Sequence, residues 1–158
     1  MSRMNAIDKY RFARWCFLHH LKPLAYATRA IIYLVHNSYI PFTAEIGEGT
    51  IFGYKGIGCV VHGNAKIGKN CTIGTGVTIG GGGGRHVKTF PENDNIRRDV
   101  PVIGDDVYIS TGAKIIGPIV IGDNVVIGAN AVVIGDVPSN VTVGGVPAKV
   151  LHNALKEE

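Results

Sequence analysis

The sequence lacks a pairable set of cysteines, an apolar run long enough to span a bilayer, and an even spread of positive charge. Cys16, Cys59 and Cys71 are odd in number and show no CxxC spacing, which argues against a disulfide framework or a zinc site and fits a reducing compartment. Cys59 and Cys71 fall in repeat positions and read as small packing residues. The longest candidate apolar stretch, residues 24–40, contains Arg29 and His36 and falls short of the ~20 residues a spanning helix needs. Charges and His19-His20 interrupt the N-terminal region, so no secretory signal is expected and a cytoplasmic location is. The net charge of +4 is concentrated: Arg3, Lys9, Arg11, Arg14, Lys22 and Arg29 face Asp8 alone within residues 1–36. A nucleic-acid binder would carry such charge more widely, so no nucleic-acid partner is expected.

What the sequence does have is a period. Aliphatic residues recur every sixth position at Ile103, Ile109, Ile115, Ile121, Ile127 and Val133, and before them at Val61, Ile67, Ile73 and Ile79. Ile46 and Phe52 begin the series. Glycine, 22 of 158 residues, is about twice its usual share of roughly 7 % and often follows the aliphatic position. Six fits neither a 3.6-residue helix nor a hairpin array. It fits a short strand and a tight corner, three to a coil of about 18 residues, with inward side chains stacked in columns. Each stacked Ile or Val then contributes on the order of 1.5–3 kcal/mol by burial. The expected fold is an all-β solenoid, a parallel β-helix.

Two breaks interrupt the register. Phe52 and Val61 are nine residues apart rather than six, which bulges three residues out around Tyr54-Lys55-Gly56. Between Ile79 and Ile103 lies a longer insertion, with glycines at 80–84, Arg85-His86 and a polar stretch. Such an extruded loop is usually functional. The expected organisation is a helical arm at 1–38, a β-helix at 39–151 with the loop at 80–101, and a helical cap at 152–158. Pro23 divides the arm into two helices, with Phe12, Trp15, Cys16 and Leu18-His19 at helical spacing. Capping and assembly is the first reading of this arm. Peripheral contact with the inner membrane face, through a basic amphipathic surface, is the second.

Val77-Thr78-Ile79-Gly80-Gly81, Gly112-Ala113-Lys114-Ile115-Ile116-Gly117 and the closing Gly145-Val146-Pro147-Ala148-Lys149 together resemble the hexapeptide-repeat acyltransferases. The branch is that of serine acetyltransferase and its relatives in surface-polysaccharide gene clusters, and the resemblance runs over residues 46–151. It implies a left-handed coil, although the usual crossover rule is right-handed. It also implies a homotrimer, with a dimer of trimers as an extension, and acetyl-CoA held in clefts between subunits. The cofactor contacts carried over are Gly80, Gly81, Ala113, Ala129 and Ala131, with Lys149 near the nucleotide phosphates, where a flexible point charge suffices.

Acetyl transfer to a hydroxyl needs a base and donors for the developing oxyanion. Of six histidines, His62 and His86 sit at the two breaks, whereas His19, His20, His36 and His152 read as surface or packing residues. Arg85-His86 matches the Arg-His of the corresponding loop in serine acetyltransferases, where it helps hold the acceptor. Those enzymes place their base histidine where this chain has Tyr54-Lys55, and its partner aspartate where this chain has Ser38-Tyr39-Ile40. The standard dyad is therefore absent. The catalytic assignment is His62 as base, Tyr54 beside it and His86 completing the pocket, with Arg85 and Lys55 as acceptor contacts. The competing readings are a solvent-facing repeat residue for His62 and a loop residue for His86.

The missing dyad, the short arm and the Lys156-Glu157-Glu158 end, without the isoleucine that engages cysteine synthase, favour a sugar or surface-polysaccharide hydroxyl as acceptor. Serine is the alternative, and acetylation of an amino-sugar nitrogen stays open. A non-catalytic β-helix scaffold is the reading from a different class. No metal is expected, because the zinc-binding relatives need a third histidine that this spacing does not supply.

Overall fold

The computed structural model describes residues 5–82, 88–90 and 96–153, with the backbone alone for 88–90, 96–98 and 153. Helix α1 (Ala6–Leu18) opens at Asn5, whose side chain accepts from the Ile7 N–H at 3.2 Å. Helix α2 (Lys22–His36) carries its proline in the first turn, where the missing N–H is harmless, and closes on Asn37 in the left-handed conformation. The buried stripe of α1 is Ala6, Ile7, Tyr10, Ala13 and Cys16, largely small residues that let the helix approach the coils. Phe12, Trp15 and Leu18 face outward instead.

The remainder winds into coils with three parallel faces. The first face stacks Glu45–Ile46, Lys66–Ile67, Val102–Ile103 and Val120–Ile121. The second stacks Ile51–Phe52, Thr72–Ile73, Tyr108–Ile109, Val126–Ile127 and Val141–Gly144. The third stacks Val60–Val61, Thr78–Gly80, Lys114–Ile116 and Val132–Val133. The six-residue series forms the inward columns: Phe52, Ile73, Ile109 and Ile127 line the second face, Val143 beyond the series continues it, and all five are buried.

The three edges between faces are not alike. Where the first face turns into the second, one residue per coil is left-handed: Gly49, Asn70, Asp106, Asn124 and Asn140. Where the second turns into the third, Gly58, Gly76, Gly112 and Asn130 do the same. Glycine and asparagine tolerate that conformation, which is why they punctuate the sequence. Where the third turns back into the first, Gly117 is the one such residue among those described. The loop leaves the solenoid at this irregular edge. Within it, Lys88–Phe90 and Ile96–Arg98 pair antiparallel, a hairpin that the polar sequence did not announce. Its root is tied by the Gly82 N–H donating to the Asp99 carbonyl at 3.0 Å.

The first coil has no neighbour beneath it, and side chains take the place of one. The Tyr10 hydroxyl donates to the Ala44 carbonyl at 2.6 Å, and Arg14 donates to the Phe42 and Ala44 carbonyls at 3.0 Å each. At the far end the expected helical cap over 152–158 is not what the described part forms. Lys149–Asn153 is a strand, antiparallel to Val141–Gly144. An unpaired strand edge offers ready backbone partners, and Leu151 packs over Gly144, where a Cβ would lie 2.8 Å from it. Residues 154–158 lie outside the described part. Among the described residues no helix is long and apolar enough to cross a membrane.

Candidate active site

Register places the site. Val61, Ile79, Ile115 and Val133 are stacked on the third face, so His62, Gly80, Ile116 and Ile134 stand in one column on the irregular edge. Successive coils lie about 4.7–4.9 Å apart. The His62 N–H donates to the Ile79 carbonyl at 2.8 Å, which puts His62 one coil below the root of the extruded loop. Its ring is exposed, and Nδ1 accepts from the Asn64 N–H at 3.2 Å. A neutral ring in this arrangement carries its proton on Nε2. Arg85 and His86 belong to the loop and lie outside the described residues.

On the same edge, beyond Gly80 and Gly81, an apolar groove of about 510 Å³ is lined by Gly82, Ile116, Pro118, Ile119, Ile134 and Gly135. That is within the usual size range of small-molecule sites, roughly 300–1,000 Å³. Gly81 is required at its margin, because a Cβ there would meet the Asp99 carbonyl oxygen at 2.9 Å. Sequence reasoning missed this groove. Its signal was Gly117-Pro118, which breaks the pattern at the edge where the loop also leaves.

Tyr54 and Lys55 are elsewhere. The three extra residues enter at the edge between the second and third faces, so one whole face separates them from His62 within a chain. The expectation that Tyr54 stands beside His62 is therefore not met in one chain. Tyr54 is 80 % exposed, and Tyr54, Lys55 and Gly56 all have positive φ, 47°, 65° and 73°. Consecutive non-glycine residues in this region are strained.

The residues expected to hold the cofactor are divided too. Gly80 and Gly81 lie on the irregular edge, with Gly80 accepting from the Gly117 N–H at 3.0 Å. Ala129 and Lys149 are exposed near the far end of the other edge of the third face. Ala113 and Ala131 point inward and are fully buried. Their N–H groups donate to Ser110 and Gly128, and their carbonyls accept from Thr78 and Lys114. Neither alanine offers a side chain or a spare donor to a ligand. Cys59 and Cys71 fill interior positions as well, and burial pushes both thiols up, away from the reactive thiolate.

A further cluster was not anticipated, since His36 read as a surface or packing residue. Its side chain is 3 % exposed, at the end of α2, beside Lys9 of α1 and the Lys55 main chain. Burial holds the His36 imidazole below its ordinary pKa, and the charges of Lys9 and Lys55 act in the same direction. Lys9 Nζ and His36 Nε2 are both buried without a hydrogen-bond partner among the described residues. No described group of three His, Cys, Asp or Glu is arranged to hold a metal.

Residues 101–135 match the family described as bacterial transferase hexapeptide (six repeats). A serine acetyltransferase of Synechococcus elongatus is 34 % identical over 150 residues, 95 % of this chain and 57 % of that protein. Among solved structures, the serine acetyltransferase of Neisseria gonorrhoeae superposes with a TM-score of 0.79 at 37 % identity, over 96 % of this chain and 54 % of that one. A serine acetyltransferase in complex with CoA superposes at 0.75 and 33 % identity, over 92 % and 55 %. The chain thus spans about half the length of the relatives it matches. The three-faced solenoid is accordingly a left-handed β-helix, and the chain belongs to the hexapeptide-repeat transferases, on their serine acetyltransferase-like branch.

Proposed function

We propose that the protein is an acetyl-CoA-dependent O-acetyltransferase. The observation that carries this is likeness over more than nine tenths of the chain to serine acetyltransferases, one of them solved with CoA. The relatives support serine as acceptor ahead of a sugar hydroxyl. The sugar is the second reading, because Tyr54-Lys55 stands where those enzymes have their base histidine.

In this reading His62 takes the hydroxyl proton as the acceptor oxygen attacks the thioester carbonyl. The carbon–sulfur bond breaks, and the proton passes to the departing CoA thiolate. Whether His62 takes the proton on Nδ1 or, after a change of tautomer, on Nε2, it gives up the hydrogen bond from Asn64, a cost of about 0.5–1.5 kcal/mol. The apolar groove above it takes the pantetheine arm, and Lys149 the phosphates. Arg85 and His86 complete the pocket from the loop rooted directly above His62.

The two separated edges call for a second copy. In a trimer the Tyr54-Lys55 edge of one subunit meets the His62 edge of the next, so both act in one cleft; pairing of trimers adds nothing to that cleft. Acetyl-CoA consumption measured with serine and a panel of sugars tests the proposal. His62→Ala is expected to lower kcat by about 10²- to 10⁴-fold. Turnover with no acceptor, and no CoA binding, would leave the scaffold reading in its place.

A further inference from the structure

Between α2 and the first coil lies a second hollow, of about 300 Å³, lined by Tyr26, Arg29, Ala30, Tyr33 and Tyr39. Tyr26, Arg29, Ala30 and Tyr33 fall at i, i+3, i+4 and i+7 of α2, so one helix face presents them together. Ala30 is the small member, and its missing bulk leaves the space between its larger neighbours. Tyr39 closes the hollow from the first coil. The three tyrosines are 43–59 % exposed, so a ligand reaches them directly from solvent.

The walls are held in place. Phe42, which is buried, meets Tyr26 edge-on at 5.3 Å and Phe17 at 4.8 Å between ring centroids. The Tyr39 N–H donates to the Cys59 carbonyl, and the Tyr39 carbonyl accepts from the Val61 N–H, both at 2.8 Å. The Arg29 guanidinium lies 5.1 Å from the Tyr26 ring centroid, 5.7 Å from that of Tyr39 and 5.8 Å from that of Phe42. Three rings thus hold a cation whose N–H groups have no protein acceptor among the described residues. The Tyr26, Tyr33 and Tyr39 hydroxyls have no protein partner there either, and no acidic side chain lines the hollow.

Its place on the coil matters as much. Tyr39 is bridged in register to Val60, and His62 follows Val60 by two residues. Tyr39, Val60 and His62 are all exposed on the third face. Strand rise and coil spacing put the Tyr39 and His62 Cα atoms about 8 Å apart. The hollow therefore opens beside the candidate base, one coil below it.

We propose that Tyr26, Arg29, Tyr33 and Tyr39 form a subsite for an acidic sugar unit, carried by the acetyl acceptor. The subsite rests on the hollow and its groups, while naming the acceptor as carrier rests on the transferase reading. The C–H face of a sugar ring packs on a tyrosine ring, and its hydroxyls exchange hydrogen bonds with the phenols, which both donate and accept. The sugar's carboxylate or phosphate takes the Arg29 fork, whose planar pair of N–H groups matches such an oxyanion. The ammonium of free serine finds no carboxylate in this lining.

Glucuronate, glucose 6-phosphate, glucose and inorganic phosphate, each titrated calorimetrically into the full chain without acetyl-CoA, test the subsite. An acidic sugar should bind saturably, at least about tenfold more tightly than glucose or phosphate. Glucuronate ahead of glucose 6-phosphate identifies a carboxylate, and the reverse a phosphate. Arg29→Met should abolish the advantage over glucose. Tyr33→Ala, at a position well exposed to solvent, should weaken all three sugars and serves where Arg29→Met fails to fold. In acetyl transfer, Arg29→Met should raise the KM for the acidic sugar with kcat little changed. No sugar binding, phosphate bound as tightly as the acidic sugars, or wild-type affinity in folded Arg29→Met would each overturn the subsite. A lower oligomeric mass in Tyr33→Ala would do the same, because the rings would then face a second copy. Transfer confined to serine, with a KM unmoved by Arg29→Met, would refute the acceptor assignment and keep the transferase reading. Sugar binding without transfer to any acceptor would refute both and keep the subsite.

Discussion

The two edges of the third face differ in nearly every physical respect. The edge that bears His62 is open and apolar, and it is built from the register of stacked coils. The edge that bears Tyr54-Lys55 is strained, meets α1 and the end of α2, and lies near two buried polar atoms, Lys9 Nζ and His36 Nε2, that have no hydrogen-bond partner among the described residues. Regular stacking supplies a column of equivalent positions, and the groove opens beside it where Gly117-Pro118 and the loop root interrupt the repeat. A short insertion clamped by foreign elements supplies a single position unlike any other. A solenoid therefore gains chemical individuality where its repeat is broken, not where it is perfect.

Disruption of the face shared by both edges should have the largest effect. Ile115→Ala removes a fully buried member of the third-face column and should lower stability by about 2–5 kcal/mol, read as a shift in the denaturant midpoint. Both edges should loosen together in amide exchange. If one edge alone responds, the face does not couple them.

Ser38→Ala should act on one edge only. It leaves the Gly56 carbonyl and the Cys59 N–H without their buried partner, at a cost of about 1–3 kcal/mol. Faster exchange is expected at Cys59 and not at His62, whose N–H is held by the Ile79 carbonyl.

The smallest effect should come from pH. The folded His36 pKa lies below its ordinary value of 6.5, so as pH falls the unfolded chain binds the proton first. Stability should be fully present above about pH 6.5 and decline as pH drops below it. Thermal midpoints across this window should flatten in His36→Phe. An unchanged slope in that variant would remove His36 from the contrast between the edges.

Much of this was legible in the residues. The period of six names the inward residues from Phe52 to Val133, and the nine-residue gap and the glycine run mark both breaks. Glycine and asparagine mark two of the three corners because few other residues accept positive φ without strain. The outward turn of Phe12 and Trp15 was not legible, since a helical stripe of apolar residues does not say which stripe meets a neighbour. Nor was the terminal strand, which depends on an unpaired edge contributed by distant residues.

By itself, then, the sequence determined the solenoid and the places where it is interrupted, because a six-residue period is a local property of the chain. Only the tertiary structure decided which edge each interruption occupies. It stacked His62 beneath the loop root, set Tyr54 a full face away, and buried His36 where the charges of Lys9 and Lys55, from two other elements, bear on it. The physical reason is that register and burial arise from coils meeting across 16 or more residues, and no local pattern encodes which side chains that meeting will enclose.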